Sequence, residues 1–378
     1  MQIDCDFPGG NILVERIEDS QATLRCDLRD TEGDWFYFGF RVRGAGGQTI
    51  TFRFADSLPP LSARGPAVSQ DEGDTWRWLG DARAKPGVFE YHFADDAPVR
   101  FCTGMAYTQA QWQAFLAGLG HEYRWRQDTL CRSVKGRDVE CLKLGRRDQP
   151  PRHRLLITAR QHACEMMASY QLEGLIKTLV GACGGDPASD AGRWCQENVQ
   201  VLVVPFMDKD GVEAGDQGKN RRPRDHNRDY AGTSLYAETA AVRRLVESWH
   251  DGVPLSVVDL HCPWIRGQYN EWIYQPGSAV TKMWQRQQAL AAILERSVSG
   301  PLPYLASDDL PYGCAWNADH GYRNGLSLGR WAATLPHIRL ATTFEIPYAD
   351  ARGQEVNAQT ARVFGGDLAR ALMAYLQT

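Results

Sequence analysis

Over its first hundred or so residues the chain alternates between apolar and polar positions with a period of two. In "DWFYFGFRVRG" Phe36, Phe38, Phe40 and Val42 fall on one face, and in "QTITFRFAD" Ile50, Phe52 and Phe54 do the same. Successive side chains of a strand point to opposite sides of a sheet, so this pattern predicts half-buried strands. Turns rich in Gly, Pro and Asp separate the runs, and together they predict an antiparallel β-sandwich over residues 1–105. The Trp and Tyr residues of this half read as core and edge packing.

From residue 106 onward the pattern changes. "TQAQWQAFLAGLG" predicts a short helix stopped by glycine, "LCRSVKGRDVECLKLG" a hairpin, and "RRDQPPRHR" a surface loop. Short apolar runs then predict buried strands at "RLLITAR", "VQVLVVPFM", "PLSVVDL" and "RLATTFEI". Between and after them, helical periodicity marks "EMMASYQLEGLIKTLV", "YAETAAVRRLVESWH", "AVTKMWQRQQALAAILERS" and "TARVFGGDLARALMAYLQT". Strands alternating with helices predict an α/β layer sheet over residues 106–378. Ligands of such sheets gather beyond the carboxyl ends of the strands.

That rule makes "HACE", residues 162–165, informative. His162 lies just past "RLLITAR" and Glu165 opens the next helix, so imidazole and carboxylate can converge on one point. A catalytic zinc takes three protein ligands and keeps one position open, and two histidines with one glutamate form a standard set. His261, directly after "PLSVVDL", occupies the same topological position and is the third candidate. Glu345 interrupts the apolar run "RLATTFEI", where a lone charge is costly unless paired or functional. Beside a metal it is suited to take a proton from an attacking water and return it to the leaving group. The loop at residues 206–230 carries Lys219, Arg221, Arg222, Arg224 and Arg228 at the same end of the sheet. A guanidinium offers a planar fork that matches a carboxylate in two hydrogen bonds.

Composition narrows the setting. The 42 basic and 46 acidic residues give a net charge of -4, which supplies no general attraction to nucleic acid or an anionic membrane. No apolar run approaches the roughly 20 residues needed to cross a bilayer. "MQIDCDFPGG" lacks the basic start and apolar core of a signal peptide. Ten cysteines without a CxxC pair read as reduced and mostly buried, so a cytoplasmic protein is expected. There is no internal repeat and no low-complexity tract.

In this order the pieces resemble the zinc carboxypeptidase family and, within it, the bacterial-type cytosolic carboxypeptidase subfamily. The likeness runs through "GDWFYFGFRVRG", "FCTGMAYTQAQWQAFL", "LCRSVKGRDVECLKL", "ITARQHACEMMASYQLEGL", "DKDGVEAGDQGKNRRPRDHNRDY" and "VVDLHCPW". It implies a mixed-sheet α/β catalytic domain at 106–378 preceded by the sandwich at 1–105, acting on the C-terminus of a peptide or protein. It also implies one zinc ion per chain on His162, Glu165 and His261, with Glu345 as general base and then acid. Asn227 and Arg228 would hold the terminal carboxylate. The arginine that polarises the scissile carbonyl would be Arg221 or Arg222, and Arg221 is preferred because "KN-R" is similar to the family's Asn-x-Arg; Arg222 is kept as a substrate-binding residue. Tyr322 would close over the substrate. Arg330, with Arg323 and Arg339 nearby, would favour an acidic terminal residue such as glutamate.

The chain departs from the family pattern at Ala163-Cys164 between the first two ligands and at Cys262 after the third. It departs again at Asp208-Lys209 and at His226 in the basic loop. Two rival readings remain: a zinc-dependent deacylase of small N-acyl amino acids, and a binding protein that has lost catalysis.

Overall fold

The computed structural model describes residues 1–80, 84–120, 125–147, 149–181, 188–249, 251–319 and 325–378. The amino-terminal strands are β1 (Gln2–Asp4), β2 (Leu13–Glu18), β3 (Gln21–Arg25), β4 (Gly39–Arg43) and β5 (Thr49–Phe54). They continue as β6 (Ala67–Ser69), β7 (Arg77–Trp78), β8 (Ala84–Lys85), β9 (Val88–His92) and β10 (Val99–Cys102). They form two sheets, ordered β1-β4-β10-β6-β7 and β2-β3-β5-β9-β8. The apolar stripes meet between the sheets, where Phe52 packs on Phe40 at 5.5 Å and on Phe101 at 5.4 Å between ring centroids.

Two details differ from the expected pattern. β3 and β5 pair in parallel, because the chain crosses into the other sheet as β4 before returning, and so re-enters from the same end. The stripe that begins at Phe36 is also divided. Phe38, Phe40 and Val42 fill the sandwich, whereas Phe36 and Tyr37 belong to the core of the following α/β region.

That region is built on β11 (Arg126–Arg132), β12 (Asp138–Gly145), β13 (His153–Ala159), β14 (Val199–Val204), β15 (Leu255–His261) and β16 (Ile338–Glu345). The sheet order is β11-β12-β14-β13-β15-β16. β14, β13, β15 and β16 run parallel, while the hairpin β11–β12 adds antiparallel strands at one edge. The helices are α1 (Gln109–Leu119), α2 (Met166–Val180), α3 (Ala188–Asn198), α4 (Lys209–Ala214), α5 (Ala237–Glu247), α6 (Thr281–Ser297), α7 (Leu328–Ala332) and α8 (Ala358–Leu376). Alternation along β13 sends Leu155 and Ile157 into the core under α2 and α8, and Leu156 into the core under α5 and α7. α2 and α8 approach closely because Gly174 and Gly365 face each other's helix backbone. A Cβ on either would sit within 2 Å of a carbonyl oxygen, 1.8 Å at Gly174 and 1.9 Å at Gly365. Among the described residues no helix is long and apolar enough to cross a membrane.

Candidate metal centre

Three parallel strands end side by side and deliver the central side chains. Beyond β13 the chain turns at Arg160, whose backbone has φ +59° and whose guanidinium Nε donates to Ala163 O at 3.1 Å and Nη1 to Tyr107 O at 2.9 Å. This turn carries His162 outward and sets Glu165 at the start of α2. β15 ends at His261 and β16 at Glu345, and these two are direct partners in the parallel register.

His162, Glu165 and His261 are buried, and their ligand atoms all lie within 4.8 Å of one another. His162 Nδ1 is 2.9 Å from Glu165 Oε1, and His261 Nδ1 is 2.8 Å from Glu165 Oε2. Despite that short approach Glu165 Oε2 makes no hydrogen bond within the protein. A buried carboxylate oxygen facing the His261 ring nitrogen without a hydrogen bond to it is what a metal site requires, and the donor set fits zinc. The far nitrogens of both rings face carboxylates. His261 Nε2 lies 2.8 Å from Asp259 Oδ2, and His162 Nε2 lies 3.8 Å from Asp225 Oδ1. Asp259 is itself held by Thr158 Oγ1 at 2.6 Å. Such outer carboxylates fix ring orientation and tautomer and raise ligand basicity.

The local charges divide the two glutamates. Burial works against ionisation of Glu165, but the Lys219 ammonium and the two imidazoles outweigh it and hold the carboxyl well below its usual range. At Glu345 burial dominates and pushes the carboxyl up, with His261 opposing and Glu165 adding to the rise. Around these groups lies a cavity of about 340 Å³, lined by His162, His261, Glu345, Asn227, Arg228 and Lys219 and walled by Trp35, Trp264, Tyr274 and Trp316. That size and this mixture of apolar walls and converging polar groups suit a small ligand or a chain end.

Comparison with known proteins agrees with this geometry. Residues 114–257 match the zinc carboxypeptidase family. Over that stretch this chain is similar to zinc carboxypeptidases. It is 25% identical over 241 residues to the uncharacterized protein ZMO1242 of Zymomonas mobilis, covering 61% of this chain and 60% of that one. It is 25% identical over 293 residues to cytosolic carboxypeptidase 3 of Bos taurus, covering 65% of this chain and 28% of the bovine protein. The chain thus spans less than two thirds of the length of either relative. In fold it is similar to a metallo-carboxypeptidase from Burkholderia cenocepacia, with a TM-score of 0.76 and 21% identity over 100% of this chain and 98% of that one.

Not every residue expected of a zinc carboxypeptidase meets at the cavity. Asn227 and Arg228 do: Arg228 lines the cleft with Nη1 on Asn227 O at 2.9 Å, and Asn227 Nδ2 stands 3.4 Å from His261 Nε2. Arg221, the expected carbonyl-polarising cation, does not. Its Nη1 donates to Asp208 and its Nη2 to Asp216, both at 2.7 Å, and Nε lies 2.8 Å from Asp30. Arg222 points elsewhere too, into an exposed pair with Glu32, and both arginines border a separate recess. Arg330 borders a smaller recess that shares Pro276, Ser327 and Thr343 with the main cavity. Tyr322 and Arg323 lie outside the described residues.

The departures from the family pattern acquire physical reasons. Asp208 is the buried partner of Arg221 and caps α4 through Gly211 N at 2.9 Å, and Lys209 pairs with buried Glu140 at 2.6 Å. Cys164 and Cys262 are fully buried, and burial pushes the Cys164 thiol up to about 11 and that of Cys262 well above its ordinary value. Both therefore favour the protonated, non-ligating form.

Three features escaped the sequence reading. Asp259 could have been found, since it stands two residues before His261 in a strand and so on the same face. In the sequence Lys219 is only one charge among several in a basic loop. Trp35 reads as packing, and nothing local in "GDWFYF" indicates that it reaches the cleft.

Proposed function

We propose that this protein is a zinc metallocarboxypeptidase that removes the C-terminal residue of a peptide or protein. One cavity carries the proposal: the two histidines, Glu345, Asn227 and Arg228 line the same space, at the carboxyl ends of parallel strands. Bound zinc would supply Lewis acidity to polarise a carbonyl and lower the pKa of a water. Arg228 offers its fork to the free carboxylate of the chain end, with Asn227 beside it, and an internal peptide bond has nothing to match it. Glu345 takes the proton of the attacking water and gives it to the departing amine. Its Oε2 is buried without a hydrogen-bond partner, which favours such a role over a structural one. The aromatic walls exclude bulk water and strengthen every charge interaction inside.

For the terminal residue we propose an acidic side chain, glutamate above all. Its support is Arg330, in the recess that opens from the same walls, where the guanidinium lies 3.5 Å from Asp319 and 5.1 Å from the centre of the Tyr312 ring. A cytoplasmic site of action belongs to the same proposal, on the likeness to a cytosolic carboxypeptidase.

The test is a panel of peptides ending in Glu, Asp, Lys, Leu or Phe, with amidated counterparts and N-acyl amino acids, followed by mass spectrometry on zinc-replete protein. Loss of one residue from free carboxylates alone, fastest for Glu, is the expected result. Cleavage only of the N-acyl amino acids would refute the peptidase and support the deacylase.

A further inference from the structure

Catalysis of acyl transfer needs a cation or hydrogen-bond donor at the carbonyl oxygen, where charge develops, and Arg221 is enclosed by carboxylates. Among the described residues, the cations that line the metal cavity are Lys219 and Arg228. Arg228 belongs with Asn227 at the proposed carboxylate end. Lys219 stands at the metal end: its Nζ is 2.7 Å from Glu165 Oε1, 3.3 Å from Cys262 O, and 5.4 Å from the centre of the Trp35 ring.

Its backbone is fixed for that position. Gly218 adopts φ +76° and lies so close to the first ligand segment that a Cβ would meet Ala163 N at 2.3 Å. Asn220 adopts φ +46°, and its carbonyl accepts from Glu32 N at 3.1 Å. The chain is pinned on both sides of Lys219, and only the side chain has freedom.

We propose that Lys219 is the cation that faces the scissile carbonyl in this protein, in the place expected for Arg221, and that it reaches the carbonyl by leaving Glu165 when a divalent ion takes that carboxylate. The assignment rests on the carboxypeptidase function proposed above. The exchange follows from charge. An ion held between the two rings faces both Glu165 oxygens, since Oε1 lies 2.9 Å from His162 Nδ1 and Oε2 2.8 Å from His261 Nδ1, so an ammonium left on Oε1 would be strongly repelled by it. The lysine stem is flexible and the cavity beside it is open, so the ammonium turns from Oε1 into the space where substrate lies. Trp35 lines that space, and its ring face offers a cation a second contact. In the ion-free protein the ammonium pairs with Glu165 Oε1; in the loaded one it donates a hydrogen bond to the carbonyl oxygen as negative charge grows there.

Wild type, Lys219→Met and Lys219→Arg are compared in three measurements. The first is steady-state hydrolysis of the best peptide from the panel. Lys219→Met should lose about 10²–10³-fold in kcat with KM changed by less than about threefold, and Lys219→Arg should recover part of kcat. The second is calorimetric binding of a phosphonate peptide, a tetrahedral mimic, which should weaken in Lys219→Met by a comparable factor, while the hydrolysis product binds as before. The third is zinc affinity of the ion-free proteins by chelator competition, which should tighten about tenfold in Lys219→Met because no charge-assisted hydrogen bond has to be broken.

An unchanged kcat and phosphonate affinity in Lys219→Met would overturn the carbonyl-facing assignment, and unchanged or weaker zinc binding would overturn the exchange at Glu165. If wild type cleaved no peptide, the carboxypeptidase function would fall instead. The zinc competition would still decide whether Lys219 occupies Glu165.

Discussion

Replacing Arg221 with Met tests whether this side chain is structural. The guanidinium is almost buried, and its partner Asp208 is fully so, with 1% of its side chain exposed; Asp216 is 12% and Asp30 42% exposed. Removing one member of a buried pair leaves an uncompensated charge and costs about 3–5 kcal/mol. Asp30 adds little to that, because solvent screens it. Asp208 keeps its hydrogen bond from Gly211 N, so the loss should fall toward the lower end, about 3 kcal/mol. In a chain of 378 residues that corresponds to a fall in melting temperature of about 4 °C.

The pH dependence is specific. In wild type burial opposes ionisation of Asp208, but Arg221 and His226 outweigh it and hold the carboxyl below its ordinary value. The stability this contributes is present above the unfolded carboxylate pKa and is lost as pH falls through the folded one. Without Arg221, burial raises the Asp208 pKa above its unfolded value. The variant then loses stability as pH rises from about 4, and its deficit is larger at pH 8 than at pH 5. Urea unfolding of wild type, Arg221→Met, Asp208→Asn and the double variant at the two pH values measures both the deficit and the coupling between the residues. A deficit under about 1 kcal/mol at pH 8, or one that does not depend on pH, would refute the argument.

Three further outcomes are expected. Glu345→Gln should cost about 10²–10⁴-fold in kcat/KM while zinc content, read by atomic absorption, stays at wild-type level; loss of the metal would make Glu345 a ligand and not the base. Asp259→Asn should weaken zinc binding about 10–100-fold in a chelator competition, through the His261 ring it orients, and an unchanged affinity would count against that role. Asp309 is pushed up to about 7 by burial, against the donors Gln275 and Tyr304. A folded pKa above the unfolded one means that its contribution to stability falls as pH rises from about 4 to 7. Asp309→Asn should therefore flatten the dependence of the urea midpoint on pH in that window, and parallel wild-type and variant curves would exclude it.

The strands that position the site were legible because they are buried on both faces and so read as unbroken apolar runs, each followed by a polar residue with a chemical reason to be there. His162, His261 and Glu345 all follow that rule, and their convergence needed only the topology of a parallel sheet. The loop between them was harder. In "KNRRPR" every cation has the same local grammar, and which one enters the cleft depends on partners outside that stretch: Asp208 and Asp216 hold Arg221 away from it, and Glu32 of the amino-terminal region holds Arg222. α3 was also unforeseen, since "ASDAGRWCQEN" offers few apolar positions to set a period. The parallel pairing of β3 with β5 reflects a crossover between sheets that alternation alone cannot encode.

The sandwich is bound into the cleft through that same loop. Backbone pairing joins Thr31 to Arg221, Arg222 N donates to Asp30 O at 2.9 Å, and Glu32 N donates to Asn220 O at 3.1 Å. Gln217 grips Tyr37 from both sides, accepting from its N and donating to its O, each at 2.8 Å. Asn11 Nδ2 reaches Gly215 O at 2.7 Å. Residues 215–222 combine left-handed backbone at Gly215, Gly218 and Asn220 with three positive side chains, a conformation and a charge that an isolated loop would not keep. The connection between β3 and β4 supplies both missing terms: backbone groups that satisfy the loop, and carboxylates that help neutralise the arginines. It also supplies Trp35, packed against Trp264 with 4.8 Å between ring centroids and the planes tilted by 54°, as part of the cavity wall. The amino-terminal sheets therefore act in this molecule as scaffolding for the metal cleft, and the lysine at its edge is held in place by residues nearly two hundred positions away in sequence, as the contact between Arg222 and Glu32, 190 apart, makes plain.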